Sequence, residues 1–153
     1  MKAIQKPNAL ARSLQRFFSD YLPRLRGVSP HTIHSYRDCL ALLLRFVGEQ
    51  QKCLIPELDI EHINNEQVIA FLQMIEDKRQ NSASTRNVRL AAIHAFFAFF
   101  AGEHPDKLEH CQRILAIPFK RAHSRIVEYL EYNEIQAILA THIPHTKISF
   151  FPI

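Results

Sequence analysis

The sequence predicts an all-α protein, a four- to five-helix bundle followed by a short C-terminal extension. Three observations support this prediction. Apolar residues recur every three or four positions in several segments, which is the spacing that places them on one face of a helix. No segment alternates apolar and polar residues as a half-buried strand does. The 153 residues include only 3 glycines, so the tight turns of a β-rich domain are scarce.

Two helices are predicted at the N-terminal end of the chain. The first covers residues 9–25 and ends before Gly27. Its apolar stripe comprises Leu10, Leu14, Phe17, Tyr21 and Leu25. The second begins at Ser29, a good N-cap, and Pro30 fits its first position because no hydrogen bond is lost there. Residues 52–63 are predicted to form a loop.

Shorter helices are predicted further along. The third begins at Asn64 or Asn65, either of which can cap it. A fifth covers residues 105–116, starting with a proline, and a last short helix covers about 133–140. Together with the fourth helix, described next, the third and fifth complete the predicted bundle, and the helix at 133–140 lies beyond it.

The fourth helix is predicted to be the central one. It begins at Ser82 or Ser84 and runs to about residue 101. From Leu90 onward it is apolar almost all round, and a helix without a polar face is buried on several sides. We expect its core-facing stripe to pass through Val88, Ala91 and Ala95.

The chain is predicted to divide after residue 117. Residues 1–117 hold the bundle, and residues 118–153 form the C-terminal extension. The extension begins with a basic linker at 118–125, where apolar periodicity is lacking, and ends in an atypical tail. Residues from 118 on are expected to contribute little to the fold. Lys and Arg outnumber Asp and Glu by 19 to 15, a net charge of +4. This modest excess is compatible with nucleic-acid binding without establishing it.

Several functional classes are disfavoured. No apolar run reaches the roughly 18 residues of a membrane-spanning helix, and the N-terminus lacks the apolar core of a signal peptide. Three scattered cysteines suit free thiols in a reducing compartment, so a cytoplasmic location is predicted. The pairs His31/His34 and His142/His145 lack further ligands at metal-binding spacing. We therefore expect no metal and no cofactor.

Two helix N-termini carry polar residues of the kind that contact DNA. Opposite the apolar stripe of the second helix lie His31, His34, Ser35, Asp38 and Arg45, with Thr32 beside them. The fourth helix opens with Ser84, Thr85, Arg86, Asn87 and Arg89. Hydroxyl and N–H groups there can bind phosphate, and polar side chains can read base edges. The alternative is an ordinary solvated helix face.

Three segments resemble a known family. Residues 29–40, SPHTIHSYRDCL, resemble the SPxTxxxYxxDL stretch of XerC/XerD-like tyrosine recombinases and phage integrases. Residues 84–97, STRNVRLAAIHAFF, resemble the helix of that family that ends in paired phenylalanines. Residues 117–121 and 128–135 resemble its interdomain linker and the start of its catalytic domain. The three occur in the family's order over about residues 10–140.

The resemblance implies a SAM-like core-binding domain that forms half of a C-shaped clamp around a recombination site. Its partners would be double-stranded DNA and other recombinase protomers. The helices at 29–47 and 84–101 would face the major groove. The matching contact positions are His31, Thr32, His34, Ser35, Arg37, Ser84, Thr85, Arg86 and Arg89, with Lys120 and Arg121 along the linker.

The resemblance also implies a chain truncated before its chemistry. The family's catalytic domain supplies arginines, a lysine, a His-x-x-Arg pair and a nucleophilic tyrosine, which act together on the scissile phosphate. No such set follows Leu139. His110 and Arg113 have the His-x-x-Arg spacing but precede the linker, so we interpret them as coincidental. The chain is predicted not to be an enzyme, unless another chain supplies the catalytic domain. A helical protein-interaction module is the alternative, and clustered positive charge would argue against it.

Overall fold

The computed structural model describes residues 6–78 and 82–121, and within these ranges all regular secondary structure is helical. The α-helices there are α1 (Ala9–Arg16), α2 (Pro30–Gln51), α3 (Asn65–Lys78), α4 (Ala83–Glu103) and α5 (Leu108–Leu115). A π-helical segment, Phe17–Leu25, continues α1, and short 3-10 helices lie at Ile55–Glu57, Ile60–His62 and Pro105–Lys107. The predicted all-α class is confirmed. The helix predicted at 133–140 lies outside the described residues.

Three helices begin at side-chain caps that the sequence indicates. In each case the capping oxygen accepts a backbone N–H three residues ahead: Ser29 from Thr32 (3.2 Å), Asn64 from Gln67 (2.9 Å) and Ser82 from Thr85 (3.3 Å). These bonds satisfy amides that have no partner inside the helix. They fix where α2, α3 and α4 start, and therefore where the polar first turns of α2 and α4 lie.

Helix α4 is the central element, as predicted, and packs against α2, α3 and α5. Its buried apolar side chains are Leu90, Ala92, Ile93, Phe96, Phe97, Phe100 and Ala101. The expected stripe through Val88 is wrong, because Val88 is 56% exposed. The buried face runs instead through Arg86, Leu90 and Ile93, about half a turn away from Val88.

The first predicted helix changes its hydrogen bonding half-way along. Pro23 has no N–H to donate, and the Arg26 amide donates to the carbonyl of Tyr21, five residues back, at 2.9 Å. The wider turn alters which side chains face inward. Leu22 is fully buried, whereas Leu25 is 72% exposed, so the predicted inward position of Leu25 is wrong.

The segment predicted as a loop, residues 52–63, contributes to the core. Lys52 adopts a left-handed conformation (φ 52°) that ends α2. The two 3-10 helices that follow then place Leu58, Ile60 and Ile63 among the buried residues. Asp59 stabilises the second of them by accepting the Ile60 amide at 2.8 Å. This segment lacks helical periodicity because its turns are too short to show any.

Candidate nucleic-acid interface

The first turns of α2 and α4 lie side by side and form a groove of about 290 Å³. It is lined by His31, His34, Ser35, Asp38, Cys39, Thr85, Val88, Arg89 and Ala92. Five of these are predicted contact positions: His31, His34, Ser35, Thr85 and Arg89. The fold therefore brings together residues that are some 50 positions apart in the sequence, and we call this surface the α2–α4 groove.

A thiol and a small side chain hold the two helices together at the floor of the groove. The Cys39 thiol donates a hydrogen bond to the backbone carbonyl of Arg89 at 3.4 Å. Burial raises the pKa of Cys39 to about 11, although the neighbouring Arg89 acts in the opposite direction. The thiol therefore stays protonated at neutral pH and can donate. Ala92, which is 1% exposed, allows the close approach.

Arg89 brings positive charge to the groove. Its side chain is half-buried, and among the described residues its Nε atom is buried without a hydrogen-bond partner. A buried N–H left unpaired costs about 1–3 kcal/mol. The guanidinium of Arg89 therefore lies at the groove next to Cys39, with its Nε on the buried side.

The opposite wall of the groove carries both an acceptor and donors. The His34 ring Nε2 lies 3.8 Å from a carboxylate oxygen of Asp38, and both side chains are exposed. A carboxylate repels phosphate, but it can accept a hydrogen bond from an amino group on a base. A mixture of donors and acceptors is what the reading of base edges requires.

Six predicted contact residues lie outside the groove lining, and three of them, Thr32, Arg37 and Ser84, are on α2 or the first turn of α4. Thr32 belongs to the cap of α2, where its hydroxyl accepts from Ser29 at 3.1 Å. Arg37 is exposed, and its guanidinium carbon lies 5.6 Å from the centre of the Phe18 ring, a cation–π contact with the π-helical segment. Ser84 is exposed on the first turn of α4.

Arg86 is not the surface residue that the sequence suggests. It is 7% exposed, and its Nε donates to the Glu76 carboxylate at 3.2 Å. A terminal nitrogen of the same side chain donates to the carbonyl of Pro118 at 3.2 Å. Arg86 lies on the buried face of α4, where Glu76 of α3 neutralises its charge, so its predicted exposure was wrong.

Lys120 lies in the same cluster. Its ammonium contacts both oxygens of Glu76, at 2.8 and 2.9 Å. Its backbone is bound as well: the Asn87 side chain donates to the Lys120 carbonyl at 2.6 Å and accepts from the Lys120 amide at 2.8 Å. Glu76, Arg86, Asn87 and Lys120 are called the linker cluster below.

The linker cluster changes the expected role of residues 118–120. Phe119 also contacts α4, with its ring edge-on to His94 at 5.2 Å. These three residues therefore pack on α3 and α4 and do not leave the bundle at residue 118. Arg121, the last described residue, is exposed. No sequence pattern marks Glu76, which lies on another helix from Arg86 and 44 positions from Lys120. Asn87, named from the sequence as a polar residue at the start of a helix, instead binds the backbone of Lys120, 33 positions away.

Two other classes of site have no support in residues 6–78 and 82–121. No three His, Cys, Asp or Glu side chains are grouped there so that they could bind a metal ion. No helix in these ranges has the length and apolar character needed to cross a bilayer.

Comparison with known proteins gives a consistent family assignment. Residues 14–104, more than half of the chain, match the family model described as phage integrase, N-terminal SAM-like domain. Two proteins of Sinorhizobium fredii, named as integrase/recombinases y4rD and y4rC, are 36% and 40% identical over 90% and 88% of this chain. Tyrosine recombinase XerC of Herpetosiphon aurantiacus is 30% identical over 62% of it. No solved structure gave a significant match.

The matched segments cover only part of these relatives: 49% of y4rD, 41% of y4rC and 29% of XerC. The chain thus spans about half the length of the first two. Within that span, the family match covers α2, α3, α4 and most of the segment that precedes them. The chain therefore belongs to the phage integrase family, and its helical bundle is the N-terminal SAM-like domain of that family.

Proposed function

We propose that this chain binds double-stranded DNA through the α2–α4 groove, as the core-binding part of a site-specific recombinase. The observation that carries the proposal is the convergence of His31, His34, Ser35, Thr85 and Arg89 on one surface. Two helix N-termini meet there, and their positive dipole ends favour phosphate. The same surface offers side chains that can read bases in the major groove.

The lining of the groove and the burial of Arg86 narrow the set of proposed contacts. Groove residues are the primary candidates, while Thr32, Ser84 and Arg37 lie beside the groove and are candidates for backbone contacts. Arg86 is not a candidate for direct contact with DNA, because its charge is buried against Glu76. Lys120 and Arg121 remain candidate phosphate contacts along the linker.

We also propose that this chain alone does not cut or join DNA. The tyrosine nucleophile and its arginine, lysine and histidine partners would have to act together on one phosphate, and the 153 residues contain no such set in the family's order. Binding without cleavage would let the chain occupy a recombination site, alone or beside other recombinase protomers. A cytoplasmic location is part of the same proposal.

The test is a salt-titrated binding isotherm on random-sequence duplex. Arg89→Gln should weaken binding and reduce the slope of log K against log salt by about one unit if Arg89 contacts a phosphate. If Arg89 reads a base instead, a second titration is needed on a duplex selected for tight binding. There the variant should lose about 1–3 kcal/mol of binding free energy, and the loss should depend on one base position. Arg113→Gln is the matched control, since Arg113 is an exposed arginine of α5 that pairs with Glu109.

Each outcome of this experiment decides between functions. A melting curve for each variant separates loss of binding from loss of folding. Equal binding by both arginine variants would remove the groove from the proposal. An absence of duplex binding by the wild-type chain would favour the helical protein-interaction module instead.

A further inference from the structure

One carboxylate in the linker cluster neutralises two cations. Glu76 lies 3.2 Å from Arg86 Nε and 2.8 Å from Lys120 Nζ. The two cations differ in their surroundings, since the Arg86 side chain is 9% exposed and the Lys120 side chain 48%. Because Glu76 is still paired with Arg86 when Lys120 departs, the cluster can lose its lysine without leaving an unpaired buried charge.

We infer that the Lys120 ammonium binds the Glu76 carboxylate in the free protein and a DNA backbone phosphate in the complex. When duplex enters the α2–α4 groove, the Lys120 ammonium exchanges the Glu76 carboxylate for a backbone phosphate. Arg86 stays with Glu76. This inference rests on the proposed function. It adds that Glu76 neutralises Lys120, a candidate phosphate contact, until DNA binds.

The contacts of the two cations determine which one exchanges. Arg86 has further acceptors, the Pro118 carbonyl at 3.2 Å and the Asn87 side-chain oxygen at 3.5 Å, so it is bound on several sides. Within the described residues the Lys120 ammonium is paired with Glu76 alone, and nearly half of the lysine side chain faces solvent. An exposed lysine on a flexible stem changes partner at small cost.

Asn87 keeps the exchange local. Its side chain binds both the amide and the carbonyl of Lys120, so the backbone of residue 120 is fixed on the second turn of α4. Only the torsions of the lysine side chain then need to change. The same helix supplies Thr85 and Arg89 to the groove, about half a turn round α4 from Asn87, so a duplex that fills the groove must also extend across the first turns of α4 to reach the lysine.

A double-mutant cycle on duplex binding tests the exchange. Glu76→Gln removes the competing charge but keeps an oxygen that can accept from Arg86, and it should tighten binding by up to about fivefold. Lys120→Gln should weaken binding and lower the salt slope by about one unit. In the Lys120→Gln background, Glu76→Gln should no longer tighten binding, because the residue it competes for is absent.

Lys107 and Glu61 provide the matched control pair. They also form an exposed lysine–glutamate contact, at 2.6 Å, but Lys107 lies just before α5, outside both the groove and the linker cluster. Glu61→Gln and Lys107→Gln make the same charge changes, so they measure the effect of net charge alone. Melting curves fix a temperature at which all variants are folded, and Lys120→Gln remains informative if Glu76→Gln fails to fold.

The possible outcomes separate the exchange from the function on which it rests. If Arg89→Gln weakens binding while the Glu76/Lys120 cycle matches the Glu61/Lys107 cycle, the groove binds DNA and the exchange is overturned. If Lys120→Gln leaves the salt slope unchanged, the exchange is also overturned. If the wild-type chain binds no duplex, the proposed function fails and the exchange fails with it.

Discussion

Replacing Arg86 with alanine is expected to lower the free energy of unfolding by roughly 2–3 kcal/mol. The change removes a buried guanidinium and leaves the Pro118 carbonyl without its donor. The loss should fall below that of a fully broken buried pair, because Glu76 keeps its contact with Lys120. Urea denaturation measures the difference, and Arg113→Ala on the exposed face of α5 should change stability by less than about 0.5 kcal/mol. Equal losses in the two variants would mean that Arg86 is not structural.

The three thiols should differ in reactivity. Burial raises the pKa of Cys39 and of Cys111 to about 11, so almost no thiolate is present at pH 8. Burial and the nearby Glu57 also raise the pKa of Cys53, but this side chain is half-buried, while the other two are buried. Iodoacetamide at pH 8 should therefore modify Cys53 first, as peptide mass spectrometry would show.

The pH dependence of this labelling follows from the direction of the shifts. Thiolate increases as pH rises towards the raised pKa values, so labelling of each cysteine should accelerate by about tenfold per pH unit below them. Cys39 reacting as fast as Cys53 would show that the contact between α2 and α4 opens readily. That result would weaken the case for a preformed groove.

At the scale of helices, two glycines make a matched pair. A methyl group added at Gly102, near the end of α4, meets nothing within 4 Å, whereas at Gly48 in α2 it would lie 3.0 Å from the Cys53 carbonyl oxygen. Alanine favours a helix over glycine by about 1 kcal/mol. Gly102→Ala should therefore raise the melting temperature, and Gly48→Ala should lower it because the Cys53 backbone must move.

Thermal denaturation of the two variants checks this difference. Cys53 is held in place by its own amide, which donates to the Gly48 carbonyl at 3.0 Å. A stabilised Gly48→Ala variant would show that the turn after α2 adjusts easily. A destabilised Gly102→Ala variant would place the end of α4 against a neighbour that residues 6–78 and 82–121 do not include.

The elements that the sequence predicted well are those with long apolar periods and side-chain caps. α2 and α4 each span more than five turns. The repeated period identified the inward face of α2, whereas α4 is apolar almost all round from Leu90 onward, so its inward face was predicted wrongly at Val88. The π-helical segment and residues 52–63 were predicted less well. In the first, Pro23 accompanies a change in the hydrogen-bond spacing. In the second, the buried residues lie in or directly after 3-10 helices of three residues.

At the scale of the whole chain, we expect no covalent protein–DNA intermediate. Incubation with supercoiled plasmid, or with a nicked suicide duplex that traps a tyrosine linkage, should leave the protein unmodified on a denaturing gel. A full-length recombinase of the same family serves as the positive control. A tyrosine-linked adduct formed by this chain alone would refute the proposal of binding without cleavage.

The candidate site was predictable to the extent that it depends on helix faces. His34, Ser35 and Arg89 were predicted as contact positions from their place on a helix and from the family resemblance, and the structure brings them together in one groove. The buried position of Arg86 was not predictable from local sequence. Its partner Glu76 lies on another helix, and only the packing of α3 against α4 brings the two charges together.

The binding of residues 118–120 to the bundle also affects avidity. A unit joined through the predicted linker 118–125 would be held from Lys120 and not from Ile117, so its tether would begin three residues later. Effective concentration falls roughly as the −3/2 power of tether length, so fixing three of eight residues raises it by about twofold. A second DNA-binding unit attached there would bind its half of the site at about twice the effective concentration, without any new contact to DNA.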